Sequence, residues 1–105
     1  MKKNHVLSQK IWNRTAKVGV IGLGYVGLPL ACAAAKAGFS VTGFDVQPEK
    51  AAKVNRGESY IADVDQNDLK QVVSDKKLTA TSCFDDLRRM DIAVICVPTP
   101  LDTHH

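Results

Sequence analysis

Apolar and polar positions along this chain form two kinds of segment: short continuous apolar runs, and stretches whose apolar residues lie three or four apart. The runs are rich in β-branched and aromatic residues, which is typical of strands covered on both faces in a parallel sheet. They predict strands at Lys17–Ile21, Ser40–Asp45, Lys77–Thr81 and Ile92–Val97.

The stretches between the runs have helical periodicity. We expect a helix over Tyr25–Ala37, with Pro29 in its first turn and Gly38 at its end. The side chains expected to face the sheet are Val26, Leu30, Ala33 and Ala37. The other predicted helices are Val6–Asn13 (or a loosely ordered arm), Pro48–Asn55, Gln66–Ser74 with Asp63 and Asp65 as capping residues, and Phe84–Arg89 with Ser82 as N-cap.

The first predicted strand continues directly into Gly22-Leu23-Gly24-Tyr25-Val26-Gly27, which has G-x-G-x-x-G spacing at the start of a helix. In such a motif Gly22 permits the tight turn, Gly24 lets a pyrophosphate approach the backbone, and Gly27 lets the helix pack closely on the strand. The N-terminus of the helix offers N–H groups to the phosphates. The motif therefore predicts dinucleotide binding.

Asp45 closes the second strand, 18 residues after Gly27. A carboxylate at this place accepts hydrogen bonds from the adenosine ribose and repels a 2′-phosphate, which favours NAD over NADP. The alternative is a turn or N-cap aspartate before Pro48. Lys50 lies within reach of the same ribose, although by spacing alone such a lysine is more often solvated. Thr99 follows the carboxyl end of the fourth strand, the edge where ligands bind in open α/β sheets, and is a candidate cofactor contact.

Strands that alternate with helices favour right-handed crossovers and a doubly wound α/β sheet. With the glycine motif they predict a Rossmann-like fold with parallel strands in the order 3-2-1-4, truncated after about four of its six strands. We divide the chain into residues 1–16, a basic arm or short helix, and residues 17–105, a partial NAD-binding Rossmann domain.

Charge and cysteine content exclude several classes of function. Five of the 14 Lys and Arg residues lie in the first 17 positions, where there is no acid, so the basic residues are not interleaved with aromatic ones across a surface as in a nucleic-acid binder. No apolar stretch reaches the ~18 residues of a membrane span, and no signal peptide is indicated. The three cysteines lack C-x-x-C spacing, which favours reduced thiols over a disulfide framework or a metal site. We expect a soluble, cytoplasmic domain that binds neither nucleic acid nor a membrane.

Four motifs together resemble the N-terminal NAD-binding domain of the UDP-glucose/GDP-mannose dehydrogenase family, the nucleotide-sugar 6-dehydrogenases. The resemblance covers residues 16–105. It rests on VGVIGLGYVGLPLA (18–31), GFDV (43–46) followed by Lys50, NRGESYIADV (55–64) and CVPTPLD (96–102). The GESYIADV segment is most similar to bacterial members that oxidise UDP-N-acetylglucosamine or related N-acetylhexosamine nucleotides.

The resemblance implies a two-step oxidation of the C6 alcohol of a UDP-sugar to a carboxylate, with two NAD per product, for surface polysaccharide synthesis. It implies that the backbone at Tyr25 and Val26 meets the pyrophosphate and that Asp45 and Lys50 hold the adenosine ribose. Thr99 would lie near the nicotinamide half. The family's catalytic cysteine, lysine and asparagine lie beyond position 105, and no cysteine here matches the nucleophile's motif, so we assign no catalytic residue and no metal ligand.

Two alternatives remain open from the sequence. One is another NAD-dependent dehydrogenase, of the 3-hydroxyacid or 6-phosphogluconate type, which the PTPLD and SYIADV segments disfavour. The other is a stand-alone nucleotide-binding module without enzymatic activity. For a chain that stops here, the apolar fourth strand would be an unpaired sheet edge, so we also expect self-association.

Overall fold

The computed structural model describes residues 2–96. Along these residues the chain forms α1 (Lys2–Trp12), β1 (Lys17–Ile21), α2 (Gly27–Lys36), β2 (Ser40–Phe44), α3 (Pro48–Asn55), α4 (Gln66–Ser74), β3 (Leu78–Thr81), a 3-10 helix (Phe84–Arg89) and β4 (Ile92–Ile95). The predicted end of the fourth strand at Val97 and the candidate residue Thr99 lie outside the described residues.

The four strands form one parallel sheet in the order β3-β2-β1-β4. Val18 of β1 is paired with Val41 of β2 and with Ile92 of β4, and Val41 is paired in turn with Leu78 of β3. This confirms the predicted Rossmann-like order. It also places the ends of β1 and β2 side by side, so that the residues following both strands meet at one edge of the sheet.

Helices α2, α3 and α4 contact the sheet through one shared apolar core. Val20, Val41 and Leu78 supply the strand side of this core and are almost fully buried. On the opposite face the 3-10 helix places Phe84 against Phe44, with ring centroids 5.5 Å apart.

The predicted buried face of α2 is wrong. Val26 and Leu30 are exposed, whereas the buried residues of this helix are Gly27, Leu28, Ala31, Cys32 and Ala35. The rotation of the helix is fixed by its first residue, because a Cβ built on Gly27 would lie 1.6 Å from the carbonyl oxygen of Gly22. Both stripes are apolar, so apolar spacing alone did not distinguish them.

The predicted N-cap Ser82 is also wrong. Cys83 occupies the N-cap position of the 3-10 helix, and its N–H donates to Thr81 Oγ1 at 3.0 Å. The end of α2 follows the prediction more closely: Gly38 has a φ of 106°, and Phe39 N–H donates back to the Ala34 carbonyl at 3.1 Å. Such a left-handed residue is what glycine permits at a helix terminus.

Candidate functional site

The turn between β1 and α2 contains two glycines, Gly22 and Gly27, that are needed for the packing of the fold itself. Gly22 has a φ of 94°, and a Cβ built on it would lie 2.0 Å from the Cys96 carbonyl oxygen. Likewise, a Cβ built on Gly27 would lie 1.6 Å from the Gly22 carbonyl oxygen. A side chain at either position would displace backbone atoms, so these glycines serve the close packing of β1, β4 and α2.

Gly24 is different, because no residue of the described part of the chain, apart from its two neighbours in sequence, lies within 4 Å of a Cβ built on it, and its φ is not positive. Neither packing nor backbone conformation therefore explains a glycine here. The missing side chain leaves open space above the turn, at the position where the motif predicts that a pyrophosphate approaches the backbone.

The N-terminus of α2 faces this open space. Leu28 N–H donates to the Gly24 carbonyl at 3.1 Å, and the N–H groups before it belong to the first turn, which leaves such groups without intrahelical acceptors. No acidic residue stands in the first turn of α2. This end of the helix can thus accept an anion through N–H groups and the positive end of its dipole.

Asp45 lies directly after β2 and is only 7% exposed. Its Oδ2 accepts the N–H of Leu23 at 2.9 Å, and its Oδ1 accepts the N–H of Gln47 at 2.9 Å. The carboxylate therefore holds the glycine turn and the start of α3 even without a ligand. An ionised carboxylate has about four acceptor sites, so each oxygen retains capacity for a ribose hydroxyl.

A cavity of about 640 Å³ lies between these elements. Of the eight predicted cofactor-binding residues, seven line it: Gly22, Gly24, Tyr25, Val26, Gly27, Asp45 and Lys50. Thr99 lies outside the described residues. The volume falls within the range of about 300–1,000 Å³ that is usual for small-molecule sites.

The side chains of Tyr60 and Phe84 also line the cavity, and sequence reasoning assigned no role to either. The Tyr60 hydroxyl donates to the Leu23 carbonyl oxygen at 2.6 Å. Burial and the nearby Asp45 carboxylate raise the pKa of Tyr60 to about 12, so this hydroxyl keeps its proton at neutral pH. The only signal that pointed to Tyr60 was its place in the GESYIADV segment.

Reactive groups are few in residues 2–96. The thiols of Cys32, Cys83 and Cys96 are free, and burial raises the pKa of Cys32, which makes it a poor nucleophile. Within the same residues no three His, Cys, Asp or Glu side chains are grouped closely enough to hold a metal ion. No described helix is long and apolar enough to span a membrane.

Residues 16–105 match the model of the UDP-glucose/GDP-mannose dehydrogenase family, NAD binding domain. The chain is 40% identical over 87 residues to UDP-N-acetyl-D-mannosamine dehydrogenase of Pyrococcus horikoshii, covering 81% of this chain and 21% of that protein. It is 39% identical over 88 residues to UDP-N-acetyl-D-glucosamine 6-dehydrogenase of Pseudomonas aeruginosa, covering 84% of this chain and 20% of that protein.

Among solved structures, the fold is similar to a ternary complex of GDP-mannose dehydrogenase from Pseudomonas aeruginosa. The TM-score is 0.75 and the identity 33%, over 79% of this chain and 20% of that one. The chain thus spans about a fifth of the length of the relatives it matches.

Proposed function

This chain belongs to the UDP-glucose/GDP-mannose dehydrogenase family, within its NAD-binding domain, and we propose that it holds the adenosine and pyrophosphate part of NAD for a larger nucleotide-sugar dehydrogenase. Because the chain belongs to this family, the alternative that it is a dehydrogenase of the 3-hydroxyacid or 6-phosphogluconate type is no longer needed. A division into a basic arm or short helix at residues 1–16 and a partial NAD-binding Rossmann domain at residues 17–105 is part of the proposal.

The observation that carries the proposal is the unfilled space at Gly24. Within residues 2–96 only its sequence neighbours lie within 4 Å of a Cβ at this position, and Gly24 lines the same cavity as Gly27, the first residue of α2. The residues around the space fit the cofactor: N–H groups for the pyrophosphate, carboxylate acceptors of Asp45 for the ribose, and the Lys50 ammonium for the same sugar or the phosphates. By family resemblance, Thr99 contacts the nicotinamide half.

When bound, NAD supplies the hydride acceptor for oxidation of an alcohol. The chain's own residues bind and orient it; the free thiol of Cys96 lines the cavity, but no described hydrogen bond joins this thiol to a base. We propose that the reacting groups belong to the rest of such a dehydrogenase. There the C6 alcohol of a UDP-N-acetylhexosamine is oxidised to a carboxylate while two NAD are reduced, as the names of the two relatives suggest for the sugar. Surface polysaccharide synthesis would consume the product.

We further propose that the 105-residue chain associates with a second copy through β4. Among the strands of residues 2–96 it lies at one edge of the sheet, and Ile95 on it is 67% exposed. An apolar strand edge with unpaired N–H and C=O groups favours pairing with another chain. Light scattering over a concentration series tests this. The proposal is supported if the apparent mass of the wild type rises with concentration and that of Ile95→Lys is lower at the same concentrations. A constant monomer mass in the wild type refutes it.

Calorimetric titration of the chain with NAD, NADP and ADP-ribose tests the cofactor proposal. We expect NAD and ADP-ribose to bind and NADP to bind more weakly, because its 2′-phosphate meets the Asp45 carboxylate. Absence of NAD binding at millimolar concentration would overturn the proposal for this chain. Binding without any dehydrogenase activity in the full-length gene product would instead favour a nucleotide-binding module.

A further inference from the structure

Leu23 lies between the first two glycines of the motif, and three different parts of the protein hold it. Its side chain is fully buried against β2, where a Cβ built on Gly43 would lie 2.7 Å from Leu23 Cδ2. Its N–H donates to Asp45. Its carbonyl accepts the Tyr60 hydroxyl. Both peptide groups that flank Leu23 are therefore fixed by partners outside the turn.

Tyr60 is well placed to act as a fixed support. Its ring packs against the apolar core, and Lys53 Nζ lies 6.0 Å from the ring centroid. The segment around it is closed by the Ser59 hydroxyl, which lies 2.7 Å from the Val64 carbonyl oxygen. Ile61 N–H in turn lies 3.4 Å from the Ser59 hydroxyl oxygen. Because these hydrogen bonds fix the segment, the Tyr60 hydroxyl approaches the Leu23 carbonyl oxygen from one fixed direction.

The consequence concerns the next peptide along the chain. The Leu23 carbonyl belongs to the same peptide plane as the N–H of Gly24, because a peptide group is planar. A donor that fixes the direction of the carbonyl therefore also fixes the direction of the Gly24 N–H. That N–H lies at the open position where the pyrophosphate is proposed to bind.

We propose that Tyr60 is a positioning residue for the pyrophosphate: through the Leu23 carbonyl it orients the Leu23–Gly24 peptide, and so presents the Gly24 N–H to the phosphate. This inference rests on the proposed cofactor function. It assigns a task to the segment at residues 58–65, which contributes no other described hydrogen bond to the glycine turn.

The test uses Tyr60→Phe, which keeps the ring and removes only the hydroxyl. Thr81→Val is the matched control, because it removes a hydroxyl that also bonds to backbone, accepting Cys83 N–H at 3.0 Å, outside the cavity. The full chain and both variants are titrated with NAD, ADP and adenosine, and amide hydrogen exchange of Leu23 and Gly24 is followed by NMR without ligand.

In Tyr60→Phe we expect NAD and ADP affinity to fall about threefold to tenfold, the usual effect of one neutral hydrogen bond. Adenosine affinity should not change, because adenosine carries no phosphate. Exchange at Leu23, whose N–H donates to Asp45, should accelerate while exchange at Val41 in β2 does not. Thr81→Val should leave all three affinities unchanged.

The outcomes separate the two proposals. If the wild type binds neither NAD nor ADP, the cofactor function is wrong for this chain and the role of Tyr60 falls with it. If the wild type binds both and Tyr60→Phe binds them equally well, only the role of Tyr60 is wrong. An equal loss for adenosine would also overturn it, since that result indicates a general structural effect.

Discussion

Replacing Gly24 by alanine separates a requirement of the ligand from a requirement of the fold. The added methyl group enters a space in which no described residue except the two sequence neighbours of Gly24 has an atom within 4 Å, and the backbone there does not need a positive φ. Alanine also reduces the conformational entropy of the unfolded chain, an effect of about 0.4–1 kcal/mol at compatible positions. We therefore expect the free energy of unfolding of Gly24→Ala to equal or slightly exceed that of the wild type.

The same methyl group should exclude the cofactor. A pyrophosphate that reaches the backbone at Gly24 would have to move outward by the radius of the methyl group, which lengthens its hydrogen bonds to the N–H groups of the turn. Loss of one or two charge-assisted hydrogen bonds, at about 1.5–3 kcal/mol each, predicts that NAD affinity falls by at least about tenfold. Calorimetric titration with NAD measures this loss, and urea denaturation measures the stability of the same preparation.

Gly27→Ala is the matched control, because here the methyl group would lie 1.6 Å from the Gly22 carbonyl oxygen. Overpacking against backbone costs about 1–3 kcal/mol or more, so this variant should be destabilised as well as defective in binding. Two results would contradict the reasoning: a Gly24→Ala chain that binds NAD as tightly as the wild type, or one that is as unstable as Gly27→Ala.

Three other side chains, Asp45, Tyr60 and Asp91, hold backbone or charged partners whose loss can be measured as a change in stability. Asp45→Asn should lose about 1–3 kcal/mol of stability in urea denaturation, because the amide offers one oxygen where the carboxylate accepts the N–H groups of Leu23 and Gln47; stability equal to the wild type would refute the holding role. Burial and Asp45 raise the pKa of Tyr60 to about 12, so its contribution to stability should be complete below pH ~10 and lost as the pH rises towards 12. Urea midpoints across that range should fall more steeply in the wild type than in Tyr60→Phe, and parallel slopes would contradict this. The Lys17 N–H and the Lys10 ammonium lower the pKa of Asp91, so this carboxylate should stabilise the fold at neutral pH and lose that effect as the pH falls below ~4. Asp91→Asn should therefore flatten the acid limb of the stability profile, and an unchanged limb would show that the hydrogen bonds of Asp91 with the Lys17 N–H of β1 and the Lys10 ammonium of α1 contribute nothing.

Local pattern was sufficient to predict most of this fold. The bounds of β1, α3 and α4 agree with prediction, since each has a clear apolar period and a Pro, Gly or Asp at one end. The rotation of α2 was not predictable in the same way. Its two stripes differ little in hydrophobicity, and the choice between them depends on the contact of Gly27 with Gly22, a detail of backbone approach that periodicity does not contain.

Seven of the eight predicted cofactor-binding residues line the cavity, whereas the side chain that supports the turn from outside, Tyr60, was not predicted. The spacing of the glycines and the acid at Asp45 indicated which groups could meet a dinucleotide. The hydrogen bond from Tyr60 to Leu23 joins residues 37 positions apart, and that from Leu23 to Asp45 joins residues 22 apart. Bonds of this kind depend on how the segment at residues 58–65 folds back over the turn, which no short motif specifies.

The ribose contact that we propose for Asp45 would come in addition to its structural role, and this bears on how cofactor preference could change. In a site where the acid only reads the ribose, replacing it by a neutral residue removes the repulsion of a 2′-phosphate and admits NADP. Here the same carboxylate also accepts the N–H groups of Leu23 and Gln47 in a nearly buried position. Leaving a buried N–H without a partner costs about 1–3 kcal/mol, so a single neutral substitution would loosen the turn that either cofactor needs. With the proposed ribose contact at Asp45, we therefore expect a change of preference in this chain to require a second substitution that supplies the lost acceptor, because the same carboxylate that would select NAD also holds the glycine turn.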